Sequence, residues 1–272
     1  MDYTDAVVEL VRRAGDAILE IYSRDIEVET KDDDSPLTQA DLASHRVLVE
    51  GLEKLTPDIP VMSEEGNSLE FDVRSSWSRY WLIDPLDGTK EFINKNGEFT
   101  VNVALIEGHA SVFGVVGVPV QDVVYTGDVR TGKALRHGPD GVEEIHGRER
   151  TDAQALTVVA SRSHGGERLE SYLESLEAQF GEVSRTPVGS SLKLCILAEG
   201  QADIYPRLGP TSEWDIAAAH AVLAAAGGDL WAVGARNLEY NTKESVLNPE
   251  FIAVSDRQYP WHDKLPTVPA SS

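Results

Sequence analysis

The segment Asp84-Pro85-Leu86-Asp87-Gly88-Thr89 places two carboxylates three positions apart, directly after the apolar run Tyr80-Trp81-Leu82-Ile83. Pro85 fixes its own φ, and Gly88 permits a tight turn. Thr89 then opens a helical stretch through Lys90, Glu91, Phe92 and Ile93. Backbone N–H groups at such a start lack partners within the helix, so those of Gly88 and Thr89 suit a phosphate. Ligands for a cation and a cradle for an anion thus stand side by side. Taken alone, the same segment also reads as a plain turn with Asp as a helix cap.

Three further acidic segments have local readings of their own. Glu64 and Glu65 follow the apolar stub Val61-Met62 and precede Gly66, which alone describes a solvated turn. Asp215 follows Trp214 at the start of an Ala-rich helix, where an acid serves as a cap. Thr38 and Asp41 stand at nearly the spacing of a capping box. A functional role requires Asp41 to face the other acids. Brought together, carboxylates about 4 Å apart repel by ~4 kcal/mol per pair at an effective dielectric of ~20. Such a cluster persists only if cations neutralise it or protons bind. Hard divalent cations with oxygen ligands, Mg²⁺ foremost, fit an all-carboxylate set. His45, His109, His137, His146, His164, His220 and His262 are scattered without zinc spacing. The lone Cys195 lies in an apolar helical stretch and reads as buried and inert. No G-x-S-x-G elbow or G-x-x-x-x-G-K-[ST] loop is present.

The chain has 272 residues, with 24 Lys+Arg against 46 Asp+Glu, a net charge of −22. That balance gives no footing on nucleic acid or anionic membranes. At 41% hydrophobic residues the chain can bury a sizeable core. The first residues read as an amphipathic helix rather than a secretory signal, and no apolar run reaches the ~20 residues of a membrane helix. The expectation is a soluble cytoplasmic protein.

Apolar spacing predicts helices over 3–22 and 39–55, with the break at 56–60. Strands are expected at 80–83, 99–106, 110–118 and 122–126, with a hairpin turning at Glu107-Gly108-His109. The polar stretch 137–153 suggests a soft boundary, dividing an N-terminal α+β half, 1–140, from a C-terminal α/β half, 141–272. The second half reads as strand 156–161, helix 166–179, strand 182–186, helix 190–199, strand 202–206 and helix 215–226, then strands 229–233 and 251–255. The tail from Gln258, with three prolines, is expected to fray.

Glu64-Glu65, Asp84 to Thr89 and Trp214-Asp215, in this order, resemble the metal signature of the inositol monophosphatase superfamily. The resemblance covers nearly the whole chain, from Lys31 to near Ser255. Lys90-Glu91-Phe92 stands where inositol phosphatases more usually carry Thr-Asn-Phe. This, with the segment 189–228, resembles the bacterial bisphosphate nucleotidase branch. The resemblance implies an α-β-α-β-α sugar-phosphatase sandwich and two or three Mg²⁺ ions. Glu64, Asp84, Asp87 and Asp215 would be side-chain ligands, and Leu86 would offer its carbonyl. Asp41 and Thr89, with Thr38 nearby, would orient the attacking water. The Gly88 and Thr89 amides would hold the phosphate. Lys31, Ser190, Lys193 and Arg207 would contact substrate. The implied reaction is removal of the 3′-phosphate of adenosine 3′,5′-bisphosphate. Hydrolysis of inositol or other sugar phosphates is the alternative on the same frame, and non-catalytic binding is the alternative outside it. The expected partner is a small phosphorylated molecule, with no nucleic acid or membrane insertion; a homo-oligomer is left open.

Overall fold

The computed structural model describes residues 3–23, 36–67, 69–161, 166–234 and 236–270. The first half contains α1 (Thr4–Tyr22), α2 (Pro36–Leu55), β1 (Val61–Ser63), α3 (Phe71–Arg74), β2 (Arg79–Asp87) and α4 (Thr89–Ile93). Then come β3 (Thr100–Glu107), β4 (Ala110–Val118), β5 (Val123–Asp128), β6 (Lys133–Gly138) and β7 (Gly141–Glu144). The second half contains β8 (Leu156–Ser161), α5 (Glu167–Phe180), β9 (Val183–Val188), α6 (Leu192–Ala198), β10 (Ile204–Arg207) and α7 (Glu213–Ala225). It closes with β11 (Asp229–Ala232), β12 (Arg236–Asn237), β13 (Phe251–Val254) and α8 (Trp261–Lys264).

Two sheets result. The first runs β1 to β7 in chain order, antiparallel except for β1 and β2, and the second is ordered β12-β11-β13-β10-β8-β9. Strand alternation splits the first sheet's side chains between two cores. Trp81, Ile83, Val101, Val103 and Leu105 pack with α1 and α2 on one face. Tyr80, Leu82, Ala104 and Ile106 pack on the other with α6, α7 and the inner face of the second sheet. The outer face of the second sheet, through Val158, Ile204 and Ile252, packs on α5. The layers are therefore α-β-α-β-α, as expected.

Helix α7 must lie close to the first sheet, and its sequence permits it. Ala217, Ala218, Ala219 and Ala221 are all buried. A Cβ at Gly114 of β4 would fall 2.0 Å from the Ala218 carbonyl oxygen, and one at Gly127 of β5 would fall 2.4 Å from Val222 Cα. Small residues on both sides set the depth of the helix whose first turn carries Asp215.

Several boundaries differ from expectation. The 80–83 strand extends to Asp87, so the Asp84–Asp87 segment belongs to β2 rather than to a turn after it, with a register shift between the two acids. Helix α2 starts at Pro36, which places Thr38 and Asp41 inside the helix, so the capping-box reading fails. Helix α7 starts at Glu213, two residues before Asp215. The polar stretch from 137 begins with the β6–β7 hairpin, whose last strand is exposed throughout. A cut at 140/141 falls in the turn of that hairpin, and the first sheet continues to Glu144. The tail from Gln258 does not fray in the described residues: Trp261 is buried against Phe180 and Tyr259. Its prolines had masked two aromatic anchors.

Gly114→Ala should lower stability to denaturant by about 1–3 kcal/mol, the usual cost of overpacking. Gly209→Ala, where an added Cβ meets nothing within 4 Å, should stay within ~0.5 kcal/mol. Equal effects at the two positions would contradict the close approach of α7.

Candidate active site

Each acid reaches the site on an element held by specific contacts. On α2, Asp41, Ser44 and His45 share a face. The buried Ser44 Oγ donates to the Pro85 carbonyl at 2.7 Å, fixing the irregular part of β2. His45 Nδ1 lies 2.8 Å from Ser63 Oγ, at the end of β1. The next residue, Glu64, donates its N–H to the Ile83 carbonyl at 3.2 Å. Asp84 is buried, and its Oδ1 accepts from Leu86 N at 3.1 Å. Asp87 Oδ2 accepts from Ser191 N at 2.5 Å, and Thr100 Oγ1 lies 3.4 Å from the same oxygen. Gly88 has φ +97°, and a Cβ there would lie 3.2 Å from Phe99 Cα. Glycine is therefore favoured by the backbone conformation, and the tight approach of Phe99 adds to that preference.

Asp215 occupies the third position of α7, where its Oδ2 accepts from Ser212 N at 2.9 Å. The acid is thus both cap and site residue, with its second oxygen left for other work. A strap from residues 240–248 holds this helix start. Asn248 Nδ2 donates to the Ser212 carbonyl at 2.6 Å. The fully buried Glu213 accepts twice from Asn241 N, at 3.0 and 2.9 Å. Asn241 in turn bonds the buried Arg74, which follows the Glu64 segment in the chain, through both its side-chain oxygen and its side-chain nitrogen.

These elements enclose a cavity of about 290 Å³. Its wall brings together Glu64, Asp84, Leu86, Asp87, Gly88, Thr89, Ser190, Lys193, Arg207 and Asp215 from the predicted set. Asp41 does not line it, but its charge acts on Asp84. Thr38 is half-buried in the first turn of α2 and does not line the cavity. Lys31 lies outside the described residues. Thr89 and Asp41 make no direct hydrogen bond; Asp41 Oδ1 is buried without a partner among the described residues. Sequence reasoning missed Ser44, Thr100, Ser191 and the Arg74–Asn241–Glu213 network. Ser191 was within reach, since it stands between Ser190 and Lys193; the others depend on contacts between distant segments.

The electrostatics follow from burial and like charge. Burial, Glu65 and Glu64 together push Asp41 up to about 8. Asp84 is raised well above the carboxylate range by burial, then by Asp87, Glu64, Asp215 and Asp41. Burial and Asp215 push Asp87 up to about 7, against the opposing pull of Lys193 and the Ser191 N–H. Asp215 rises to about 6 by burial, opposed by the Ser212 N–H. Glu64, at the rim, is raised as well. Lys193 is buried and pushed down to about 8, with its Nζ donating to the Ser190 carbonyl at 2.7 Å. Ser190 itself has φ +41°, a left-handed conformation rare for a non-glycine. Among the described residues, no three acids already close on one point as a formed ligand set. The donors nevertheless suit a hard divalent cation: they are all oxygens, they share one cavity, and each binds a proton more readily than a free carboxylate.

The fold and the sequence have counterparts among known proteins. A model of the inositol monophosphatase family matches residues 2–264, and the chain belongs to that family. Within it, the chain is 50% identical over 249 residues to the 3′(2′),5′-bisphosphate nucleotidase CysQ of Salmonella typhimurium, covering 91% of this chain and 97% of that protein. The same protein from Escherichia coli K12 is 49% identical over the same shares. The crystal structure of CysQ from Bacteroides thetaiotaomicron superposes with a TM-score of 0.85 at 39% identity, covering 93% of this chain and 96% of that one. An inositol monophosphatase from Zymomonas mobilis superposes with a TM-score of 0.76 at 24% identity over 95% of each chain, and shares the fold.

The raised acids make the cation-free protein pH-sensitive in a definite direction. Asp41 titrates near 8 folded and near ~3.9 unfolded. It therefore favours the fold below pH ~4 and opposes it increasingly as pH rises through 8. In chelator, Asp41→Asn should raise stability at pH 9, on the order of 1–3 kcal/mol after solvent screening, with the gain fading toward pH 4. Asp87→Asn should behave alike, with its gain complete nearer pH 7. Denaturant melts across pH measure this; destabilisation of both variants at pH 9 would contradict the like-charge cluster.

Proposed function

We propose that the protein hydrolyses the 3′-phosphate of adenosine 3′,5′-bisphosphate, giving adenosine 5′-monophosphate and phosphate, in the presence of Mg²⁺. The observation that carries this is the cavity wall, where the five carboxylates of Glu64, Asp84, Asp87, Glu91 and Asp215 share one lining with the cationic side chains of Lys90, Lys193 and Arg207. Identity near 50% to bisphosphate nucleotidases over 91% of the chain supports the substrate class. Phosphate monoesters are among the slowest species to hydrolyse unaided, with enzymes accelerating the reaction by up to ~10²¹-fold. A chain of charge −22 would repel such a polyanion unless the local sign were reversed.

In this reading Glu64, Asp84, Asp87 and Asp215, with the Leu86 carbonyl, hold two or three Mg²⁺ ions. When bound, these ions supply the positive charge that the phosphoryl oxygens, the attacking water and the leaving oxygen require. The Gly88 and Thr89 amides hold phosphoryl oxygens. Asp41 and Thr89 orient the water, with Thr38 nearby in the first turn of α2. Oxygen from water joins phosphorus as the ribose 3′-oxygen leaves and takes a proton, so no nucleophilic side chain is needed. Lys193, Arg207 and Ser190 contact the substrate, and the two cations suit its second phosphate. Lys31 belongs to the same set of substrate contacts.

A phosphate-release panel with Mg²⁺ tests the reading. Turnover of adenosine 3′,5′-bisphosphate should exceed that of inositol 1-phosphate and fructose 1,6-bisphosphate by at least about tenfold in kcat/KM. Preference for inositol 1-phosphate would overturn it. The water-orienting roles predict coupling. Thr89→Ala and Asp41→Asn should each lower kcat about 10²–10⁴-fold, the usual worth of acid–base positioning. The double variant should lose less than the product of the single losses, because the two side chains act on one water. Multiplicative losses across the four-member cycle would falsify the shared role.

A further inference from the structure

Glu91 is an acid on the cavity wall that neither the cation ligands nor the fold accounts for. It belongs to α4 and lines the cavity beside Gly88, Gly189 and Lys193. Its backbone carbonyl accepts from Asn96 N at 3.3 Å. Its carboxylate has no hydrogen-bond or ion-pair partner among the described residues. The side chain is wedged between two glycines. A Cβ at Gly88 would lie 3.2 Å from Glu91 Oε2, and one at Gly189 would lie 3.0 Å from Oε1. The Gly189 segment is itself fixed, since Gly189 N donates to Glu98 Oε2 at 2.8 Å. The carboxylate is therefore held against the turn assigned to the reacting phosphate.

A carboxylate beside the site of a polyanion weakens binding unless the substrate gives it a proton to accept. Resting on the nucleotidase reading, the choice of donors is small. A ribose phosphorylated at its 5′ position and at either 2′ or 3′ keeps one free hydroxyl, vicinal to the reacting phosphate in both cases. The exocyclic amine of the base is the other donor, and it lies across the sugar from that phosphate.

We infer that Glu91 is a specificity-determining residue whose carboxylate accepts a hydrogen bond from the ribose hydroxyl next to the scissile phosphate. The pocket therefore selects ribonucleoside over 2′-deoxyribonucleoside bisphosphates. Lys193 feels the charge of Glu91, but electrostatic support of Lys193 alone would serve both sugars equally.

The test is kcat/KM for adenosine, 2′-deoxyadenosine and inosine 3′,5′-bisphosphates with the wild type, Glu91→Ala and Glu91→Gln. The wild type should prefer the ribose over the deoxyribose substrate by about ten- to a hundredfold, the size expected for a hydrogen bond to a charged acceptor. Glu91→Ala should cut that preference by about tenfold or more, with the loss confined to the ribose substrates. Undiminished turnover of the deoxyribose substrate shows that the variant is folded. Glu91→Gln, still an acceptor, should retain part of the preference, and inosine bisphosphate should follow adenosine bisphosphate throughout. Equal losses on both sugars, or an unchanged preference, would overturn the inference. A preference between adenine and hypoxanthine that disappears in Glu91→Ala would transfer the contact to the base and likewise overturn it. Absence of wild-type turnover on the adenosine substrate would instead sink the nucleotidase reading, and the inference with it.

Discussion

The mutual repulsion of carboxylates around one cavity is the constraint to which the surrounding structure answers. Asp84 feels Asp87, Glu64, Asp215 and Asp41 at once, and burial adds to each of these effects. Left to themselves, such groups would separate or move into water. They are held because each is attached to an element that cannot retreat. Asp84 and Asp87 stand on either side of an irregularity in β2, which is paired with β3 along its length. Asp215 is tied into the first turn of α7 as a cap. Asp41, whose charge reaches Asp84 although it does not line the cavity, is carried by a helix whose own apolar face is packed on the sheet. The stability of the two cores is what keeps the acids together.

The support extends beyond the cavity wall. Ser44 and His45 reach from α2 to the Pro85 carbonyl and to Ser63, so a single helix face touches both strands that deliver the acids. On the opposite side, Arg74, Asn241 and Glu213 join the chain beyond Glu64 to the helix that bears Asp215. Buried networks of this kind are costly when broken, because each lost partner leaves a polar group without water. Here the network ties α3 and the strap at Asn241 to the first turn of α7, which bears Asp215.

Much of this was legible from residue types and order. The periodicity of α1, the hairpin at Glu107–Ala110 and the alternation of the second half all follow from apolar spacing. The acids of the cavity could be recognised as a set because their motifs occur in a known order. Three things were not legible. The strand character of Asp84–Asp87 is imposed by pairing to β3 at Asp84 and Asp87, which overrides the turn preference of Pro85. The position of Asp41 inside α2 depends on where that helix starts, and a Pro at its first position is as good a start as Thr38. The contact of Arg74 with Asn241 links segments 167 residues apart, and no local pattern encodes it. The tail failed for the opposite reason: prolines suggested fraying, while Tyr259 and Trp261 supplied enough apolar surface to anchor it.

Proton release on cation binding tests most directly whether the raised acids form one cation-holding cluster. Asp41, Asp87 and Asp215 titrate near 8, 7 and 6, so at neutral pH the cluster retains protons that a bound divalent cation must displace. Calorimetric titration of the cation-free protein with Mg²⁺ in two buffers of different ionisation enthalpy measures that number. Release of about one to two protons per protein at pH 7, decreasing as the pH is raised to 9, is the expected result. Mg²⁺ binding with no proton release at any pH between 6 and 9 would contradict a cluster of mutually raised acids as the seat of the cation.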